Sequence, residues 1–294
     1  MQGSLRGNKG PRIRHVVEEG APFETITVDK VTPVIGAEVG NIDLSKPLSN
    51  RQQDEIHRAL AENLVLFFRD QDLSSDAFMR VSAMFGQPVD YPFLKGLDGY
   101  PHIAPVVKLP HQTVNFGGNW HADTTYFEHP PMASLLVARE LPPFGGDTQF
   151  ANQYLAYETL SEGMRSLLSR LRGVSRSDKA EASRTREDRQ TAERTVMAAD
   201  HPVVRTHPET GRKSLFVNLA HTAHFVGMTE AESMPLLRYL FAHQVRPEFT
   251  CRFQWSPGAL AIWDNRCSLH SALNDYQGHK RVMHRVTLAG DRPV

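Results

Sequence analysis

The second half of the chain is made of short β-forming segments separated by glycine and proline turns. From Met132 onward, runs rich in β-branched and aromatic residues recur, and 208–211 between two of them has the composition of a hairpin turn. Many short strands of this kind are typical of a barrel or a jelly roll. We therefore predict a mainly β fold with flanking helices. The strands predicted in this half are 133–138, 148–151, 203–206, 214–218, 250–254, 259–264 and 281–288.

The helices are predicted mostly from apolar spacing and capping residues. In 50–62 the apolar residues follow a spacing of three to four, with Ser49 or Asn50 as a cap. The segment 74–85 has a similar pattern, with Ser74 or Ser75 as a cap, and ends at Gly86. Further predicted elements are a strand at 25–34 followed by a turn at 36–40, a buried strand at 64–68, and helices at 154–171 and 230–243.

The chain has 294 residues, a length that suits one β-rich domain with tails. We expect that domain at 21–294, after a basic and disordered arm at 1–20 that lacks the apolar centre of a secretory signal. The segment 172–200 is crowded with charged residues and nearly lacks large apolar ones. It is predicted to be a mobile surface segment, either disordered or a lid.

The composition excludes several classes of function. Lys and Arg number 33 and Asp and Glu also number 33, so no net charge attracts nucleic acid or an anionic membrane. Only two cysteines, Cys251 and Cys267, are present, which excludes a disulfide framework and disfavours a Cys-rich zinc site. No apolar run approaches the roughly 20 residues of a membrane span. These features favour a cytoplasmic protein that recognises its ligands through local groups.

The segment 119–126 carries a histidine and a carboxylate two residues apart, His121 and Asp123. On an extended strand such residues point the same way and can face one metal ion. Two histidines with one carboxylate are the ligands of non-heme iron(II) oxygenases. The His-x-Asp pair alone is weak, because such a pair arises by chance among 14 histidines and a surface or hydrogen-bonded histidine explains it better. A second histidine–acid pair, His207 and Glu209, lies at a turn and is attributed to the turn.

The C-terminal part offers a third histidine and two arginines. His270 follows the predicted strand 259–264, and Arg281 and Arg285 share one face of the last strand with Met283. Arginines directed inward are costly unless each meets an anion, and the guanidinium fork suits a carboxylate or sulfonate. Two surface arginines in a strand remain the alternative at this point.

Several motifs in this order resemble the TauD/TfdA family of Fe(II)- and 2-oxoglutarate-dependent dioxygenases. The resemblance extends from about Val28 to the C-terminus. The matching segments are Trp-His-Ala-Asp-Thr-Thr-Tyr at 120–126, Pro-Pro at 130–131, Gly-Gly-Asp-Thr at 145–148, His-Pro-Val-Val-Arg-Thr-His-Pro at 201–208, Trp-Asp-Asn-Arg at 263–266 with His270, and 281–291.

The resemblance implies a double-stranded β-helix, which is a jelly roll of the cupin type. It implies Fe(II) bound by His121, Asp123 and His270, together with 2-oxoglutarate and O2 as co-substrates. Thr148 and Arg281 would hold the distal carboxylate of 2-oxoglutarate. The implied activity is hydroxylation of a small anionic organic substrate, with release of succinate and CO2.

Substrate contacts are expected from Arg285, Tyr91, Thr124 and His221. Compared with taurine dioxygenase, Tyr91 replaces a histidine, Gly117 an asparagine and His221 a phenylalanine. These differences argue against taurine itself. Tyr91, Phe93 and Leu94 suit an apolar or aromatic acid, although Tyr91 could also be a wall residue without ligand contact.

Two other functions remain open on the sequence. A non-catalytic member of the same fold would bind metal or carboxylate without turnover. A zinc hydrolase would also use two histidines and a carboxylate, but it would work without 2-oxoglutarate and give Arg281 no role. Homo-oligomerisation is expected, and neither nucleic acid nor membrane is expected as a partner.

Overall fold

The fold is described by a computed structural model, which covers residues 21–92, 94–179 and 196–294. The predicted arm at 1–20 and Phe93 lie outside the described residues. In the described ranges, every helix is too short or too polar to cross a lipid bilayer.

The helices begin where the sequence offers a capping side chain. Ser49 and Ser74 accept hydrogen bonds from backbone N–H groups in the first turns of their helices, as expected. The helix predicted at 154–171 is two helices, because Ser161 caps a second start after a break. The helices are α1 (Asn50–Asn63), α2 (Ser75–Phe85), α3 (Gln153–Glu158), α4 (Glu162–Leu168) and α5 (Glu230–His243).

Short strands make up most of the remaining regular secondary structure of the described residues, as predicted. The first eight are β1 (Thr27–Lys30), β2 (Ala37–Gly40), β3 (Val65–Phe68), β4 (Pro88–Val89), β5 (Ala104–Lys108), β6 (Ala133–Glu140), β7 (Thr148–Asn152) and β8 (Arg172–Arg176). The others are β9 (Ala198–Pro202), β10 (Val204–Thr206), β11 (Lys213–Leu215), β12 (Thr222–Phe225), β13 (Thr250–Phe253), β14 (Leu260–Asp264), β15 (Ser268–Ala272) and β16 (Arg281–Leu288).

The strands form one large sheet and three small ones. The large sheet has the order β1-β2-β3-β14-β6-β16-β4, with β5 also paired to β16. A three-stranded sheet, β13-β7-β15, is antiparallel throughout. The other two sheets are β12-β8-β9 and β10-β11. Except for the parallel pair β2 and β3, the neighbouring strands of the large sheet run antiparallel.

Both faces of the large sheet are buried. Along β3, Leu66 and Phe68 join the core that includes residues of α1 and α2, whereas Val65 and Phe67 join the core that includes Phe150 of β7. This alternation follows from the two-residue repeat of a strand. The sheet β13-β7-β15 therefore packs on the face opposite the helices, and the candidate site lies between these two sheets.

Three details of the local structure differ from the expectations. The turn predicted at 36–40 is wrong, since β2 pairs with both β1 and β3 there. The strands β4, β5, β8, β9, β12 and β15 were not predicted. The charged segment 172–200 begins and ends in strands, because β8 pairs with β9. Its interior, 180–195, lies outside the described residues, so a lid stays a prediction.

A buried ionic network lies at the C-terminal end of β14, around Asp264. Asp264 accepts hydrogen bonds from the Arg266 guanidinium at 2.7 to 3.1 Å and contacts His207 Nε2 at 3.0 Å. The backbone N–H groups of Glu209 and Thr210 donate to His207 Nδ1, so Nε2 carries the proton that Asp264 accepts. His207 therefore belongs to its turn, as the sequence indicated. Burial raises the pKa of Asp264, but hydrogen bonds from His207 and Arg266 outweigh this effect and lower the pKa to about 2.

We predict that Asp264→Asn lowers the free energy of unfolding by about 3 kcal/mol or more, because it leaves buried donors facing a neutral amide. In the parent, the folded pKa of Asp264 lies below its ordinary 3.8, so its stabilisation is present above pH 4 and is lost as the pH falls toward 2. Urea unfolding between pH 2 and pH 7 measures both effects.

The matched control is Asp98→Asn, since the Asp98 side chain is 96% exposed and pairs with Lys95 on the surface. It should leave the unfolding free energy nearly unchanged. An Asp264→Asn protein as stable as this control would contradict the role assigned to the network.

Candidate functional site

A single β-bridge brings the two most separated candidate ligands together. The backbones of His121 and His270 exchange hydrogen bonds of 3.0 and 2.8 Å, and their rings lie 4.1 Å apart. His270 belongs to β15, whereas the chain turns directly after the bridge, with Thr124 at a φ of 41°. His121 and Asp123 therefore do not share the face of a regular extended strand, on which the argument from their spacing relied. One bridge and a turn nevertheless direct His121 and Asp123 toward the same point.

The three candidate ligands form a compact, buried cluster. Asp123 Oδ1 lies 3.7 Å from His121 Nε2 and 3.9 Å from His270 Nε2. The ligand atoms of the three residues are all within 4.8 Å of one another. Such a set of two imidazoles and one carboxylate can take one face of a metal ion's coordination sphere.

Both histidines are in the form that binds metals. His121 Nδ1 lies 2.7 Å from the carbonyl oxygen of Asn119, so it carries the proton and Nε2 keeps its lone pair. Burial lowers the pKa of His121 and lowers that of His270 well below its usual range. Neutral imidazoles therefore face Asp123 at neutral pH.

The carboxylate of Asp123 is held on both oxygens. Oδ2 accepts a hydrogen bond of 2.7 Å from Ser134 on β6, and Arg285 Nη1 lies 3.2 Å from Oδ1. Asn265 bridges Ser134 and the backbone N–H of Asp123. Burial raises the pKa of Asp123, but Arg285 and the two histidines lower it below its usual range. Asp123 is therefore ionised, with Oδ1 directed at the histidines.

Arg281 and Arg285 both point inward from β16 and are buried, as the shared strand face predicted. In each of them, Nε and Nη2 have no hydrogen-bond partner within the described part of the chain. These two atoms form one edge of the guanidinium, a fork that matches two oxygens of an anion. The carboxylates of Asp264 and Asp291 are engaged by other arginines, since Arg266 pairs with Asp264 and Arg205 with Asp291.

The surroundings of Arg281 come from the small sheet and the loop before it. Thr148 begins β7, after two glycines with φ of 72° each, at positions 145 and 146. A Cβ on Gly146 would lie 3.2 Å from Cδ and Nε of Arg281, so glycine is needed for this close approach. Trp255 and Tyr276 flank the guanidinium, with ring centroids 5.8 and 6.0 Å from its carbon.

The expected substrate residues also border the cluster. The guanidinium carbon of Arg285 lies 4.2 Å above the Tyr91 ring, so Tyr91 packs on that arginine. The Thr124 hydroxyl is buried and has no hydrogen-bond partner in the described ranges. The ring of His221 is 6.0 Å from that of His121, and its Nδ1 lies 3.1 Å from the Thr125 hydroxyl.

Sequence reasoning missed several residues of the site. Ser134 and Asn265 hold Asp123, Phe116 lies 5.6 Å from the guanidinium carbon of Arg285, and Trp255 contacts Thr148. Only Asn265 carried a signal, through its place in the Trp-Asp-Asn-Arg motif.

A second group of metal-type side chains lies within 4.8 Å, namely His207, Asp264 and Cys267. Its chemistry differs, because Asp264 is already engaged by Arg266 and by a proton on His207 Nε2. Burial raises the pKa of the Cys267 thiol well above its usual range, so no thiolate is offered. This group is a hydrogen-bonded part of the fold.

A family model for the taurine catabolism dioxygenase TauD, TfdA family matches residues 27–287. The chain belongs to this family. It is 35% identical to an alpha-ketoglutarate-dependent sulfate ester dioxygenase of Pseudomonas putida, over 92% of this chain and 91% of that protein. It is 32% identical to an alpha-ketoglutarate-dependent 2,4-dichlorophenoxyacetate dioxygenase of Cupriavidus pinatubonensis, over 92% of this chain and 100% of that protein.

A solved structure supports the same assignment. The crystal structure of AAD-2 in complex with Mn(II) and N-oxalylglycine superposes with a TM-score of 0.77 at 28% identity. The match covers 92% of this chain and 99% of that one. The resemblance deduced from the sequence motifs of the TauD/TfdA family is thus confirmed.

We predict that Ser134→Ala weakens Mn(II) binding by about 10-fold to 100-fold, because Asp123 Oδ2 loses its shorter donor and keeps only Asn265 Nδ2 at 3.5 Å among the described residues. Calorimetric titration with Mn(II) measures the change. The matched control is Ser82→Ala, which removes an equally buried hydroxyl inside α2, where it donates to the Phe78 carbonyl. Parental affinity in Ser134→Ala would show that Asp123 is positioned without it.

Proposed function

We propose that this protein is an Fe(II)- and 2-oxoglutarate-dependent dioxygenase that hydroxylates a small anionic organic substrate and releases succinate and CO2. One observation carries the proposal: a buried His-Asp-His cluster stands between two facing sheets, next to two buried arginines whose Nε and Nη2 atoms have no hydrogen-bond partner among the described residues. We further propose that the facing sheets are those of a double-stranded β-helix.

The donor set fits Fe(II). His121 and His270 offer neutral imidazole nitrogens, Asp123 offers one carboxylate oxygen, and together they leave open positions for exchangeable ligands. When bound there, iron supplies the redox chemistry by which O2 and a 2-oxo acid oxidise a C–H bond. The chain itself orients the ligands and keeps the cluster buried.

The pocket of Arg281 fits the distal carboxylate of 2-oxoglutarate. Its fork offers two parallel N–H donors, and the hydroxyl of Thr148 lies at the start of the facing strand β7. N-oxalylglycine, bound in AAD-2, is 2-oxoglutarate with one CH2 replaced by NH, so it carries the same terminal carboxylate. A buried guanidinium without a protein anion is best explained by a ligand that supplies one.

Arg285 fits the anionic group of the primary substrate. Its Nη1 binds Asp123, so its fork opens beside the metal cluster. Tyr91 and Phe116 pack around the guanidinium, leaving its edge for the anion. Carboxylate, sulfonate and sulfate all match this fork. The buried hydroxyl of Thr124 and the ring of His221 are proposed to contact the rest of the substrate.

Three further expectations concern the substrate, the oligomeric state and the location of the protein. We propose an apolar or aromatic group on the substrate, since Tyr91 packs with Leu94 and Ala104 in a small apolar cluster. Homo-oligomerisation and a cytoplasmic location stay predictions from the sequence.

We predict that the Fe(II) protein supplied with O2 and 2-oxoglutarate forms succinate only when a matching substrate is present. The substrate panel contains alkyl sulfate esters, alkyl sulfonates and aryloxyalkanoic acids, and succinate is measured by chromatography. His270→Ala should abolish the product. Turnover of an ester by the Zn(II) protein without 2-oxoglutarate would favour a hydrolase instead.

We also predict that the two arginines act on different anions. Arg281→Gln should raise the 2-oxoglutarate half-saturation, and Arg285→Gln the KM of the substrate, each by the equivalent of about 1.5 to 3 kcal/mol. Steady-state titration of each ligand separates the two effects. Because Arg285 also contacts Asp123, Mn(II) affinity is measured in parallel.

The control for both variants is Arg246→Gln, which removes a guanidinium that pairs with the exposed side chain of Glu248. A loss shared equally by the two ligands in Arg281→Gln and Arg285→Gln would contradict the separate assignments.

A further inference from the structure

Trp255 makes a hydrogen bond whose direction is unambiguous. Its indole Nε1 lies 3.0 Å from the Oγ of Thr148, and both side chains are buried. An indole N–H can only donate, so the Thr148 oxygen must accept. The hydroxyl proton of Thr148 is then left to point away from Trp255, toward another acceptor.

The fold fixes both partners. Thr148 pairs with Phe253 in the register of β7 and β13, and Trp255 follows two residues later. The Trp255 ring packs edge-on against Phe253, with ring centroids 5.1 Å apart and an angle of 81°. The same ring lies 5.8 Å from the guanidinium carbon of Arg281. Trp255 therefore borders both groups proposed to receive the distal carboxylate.

We propose that Trp255 is a positioning residue that decides whether Thr148 offers this pocket a hydrogen-bond donor or an acceptor. By donating to Thr148, it makes the threonine hydroxyl a donor toward the ligand, alongside the N–H fork of Arg281. The pocket then presents the threonine O–H beside the N–H fork of Arg281, and this arrangement favours a group that only accepts, which is a carboxylate. This inference rests on the proposed function, because the ligand is the 2-oxo acid co-substrate.

The two donors, the Thr148 O–H and the Arg281 fork, have a consequence for which ligands the pocket selects. A primary amide in place of the terminal carboxylate would turn its NH2 group toward N–H or O–H donors, and buried donors without an acceptor are costly. Without the indole N–H, the Thr148 hydroxyl could rotate and accept from such an amide. Removing that N–H should therefore weaken carboxylate binding and relax discrimination against 2-oxoglutaramate, the amide of 2-oxoglutarate.

The experiment compares parent, Trp255→Phe, Thr148→Val and the double variant, each as the Mn(II) protein. Calorimetry gives the Kd of N-oxalylglycine, of 2-oxoglutaramate and of oxalate, which can bind the metal but has no distal carboxylate. Phenylalanine keeps a ring against Phe253 while removing the donor. We expect Trp255→Phe to weaken N-oxalylglycine binding about fivefold to tenfold. Oxalate binding should be unchanged, and discrimination against 2-oxoglutaramate should decrease.

The double variant tests whether Trp255 acts through Thr148. Once Thr148 is valine, Trp255→Phe should cause no further loss, since the hydroxyl it orients is gone. Additive losses, or an equal loss for oxalate and N-oxalylglycine, would overturn the proposal in favour of a general packing role. Unchanged binding of N-oxalylglycine in Trp255→Phe would overturn it as well.

Trp263 offers a contrasting variant. Its indole donates to Asn265, which holds Asp123, so Trp263→Phe should weaken oxalate and N-oxalylglycine alike through the metal. If Trp255→Phe behaves in the same way, the role proposed for Trp255 is wrong. A parent Mn(II) protein that binds neither oxalate nor N-oxalylglycine would overturn the proposed function itself, whereas the outcomes above concern Trp255 alone.

Discussion

The candidate site depends on the backbone bridge between His121 and His270. These residues are far apart in the chain, and the two hydrogen bonds between them are what place one imidazole beside the other. The bridge attaches the loop before β6 to β15 of the small sheet. Because β15 pairs with β7, the same attachment places the cluster on the sheet that carries Thr148. A loop and two sheets thus converge on one point.

Charge is the second organising constraint. The site buries two guanidinium groups, Arg281 and Arg285. Among the described carboxylates, that of Asp123 pairs with Arg285, and none pairs with Arg281. Buried cations require anions, and the unpaired forks of both arginines mark where these are missing among the described side chains. By contrast, the nearby Asp264 network is balanced within the protein, by Arg266 and His207. The Asp264 network is balanced within the protein and is structural, whereas the two arginines are proposed to bind ligands. The types of residue alone would not distinguish these two groups.

Local signals explain which predictions succeeded. The starts of α1 and α2 were predictable because Ser49 and Ser74 cap them, and β3 because its apolar run is buried on both faces. The strand β5, however, has no distinctive alternation, and β2 contains a glycine at its end. Such strands are specified by the partners that they pair with. Tyr91 was expected beside the substrate, and its packing on Arg285 follows from tertiary contact alone.

By itself, the sequence determined the ligand types, their order along the chain and the family. It also determined the common face of Arg281 and Arg285, because the two-residue repeat of a strand is a local property. Only the tertiary structure decided how His270 reaches His121, which oxygen of Asp123 faces the histidines, and which side chain donates to the Thr148 oxygen. Each of these depends on hydrogen bonds between segments distant in sequence, whose geometry no local pattern records.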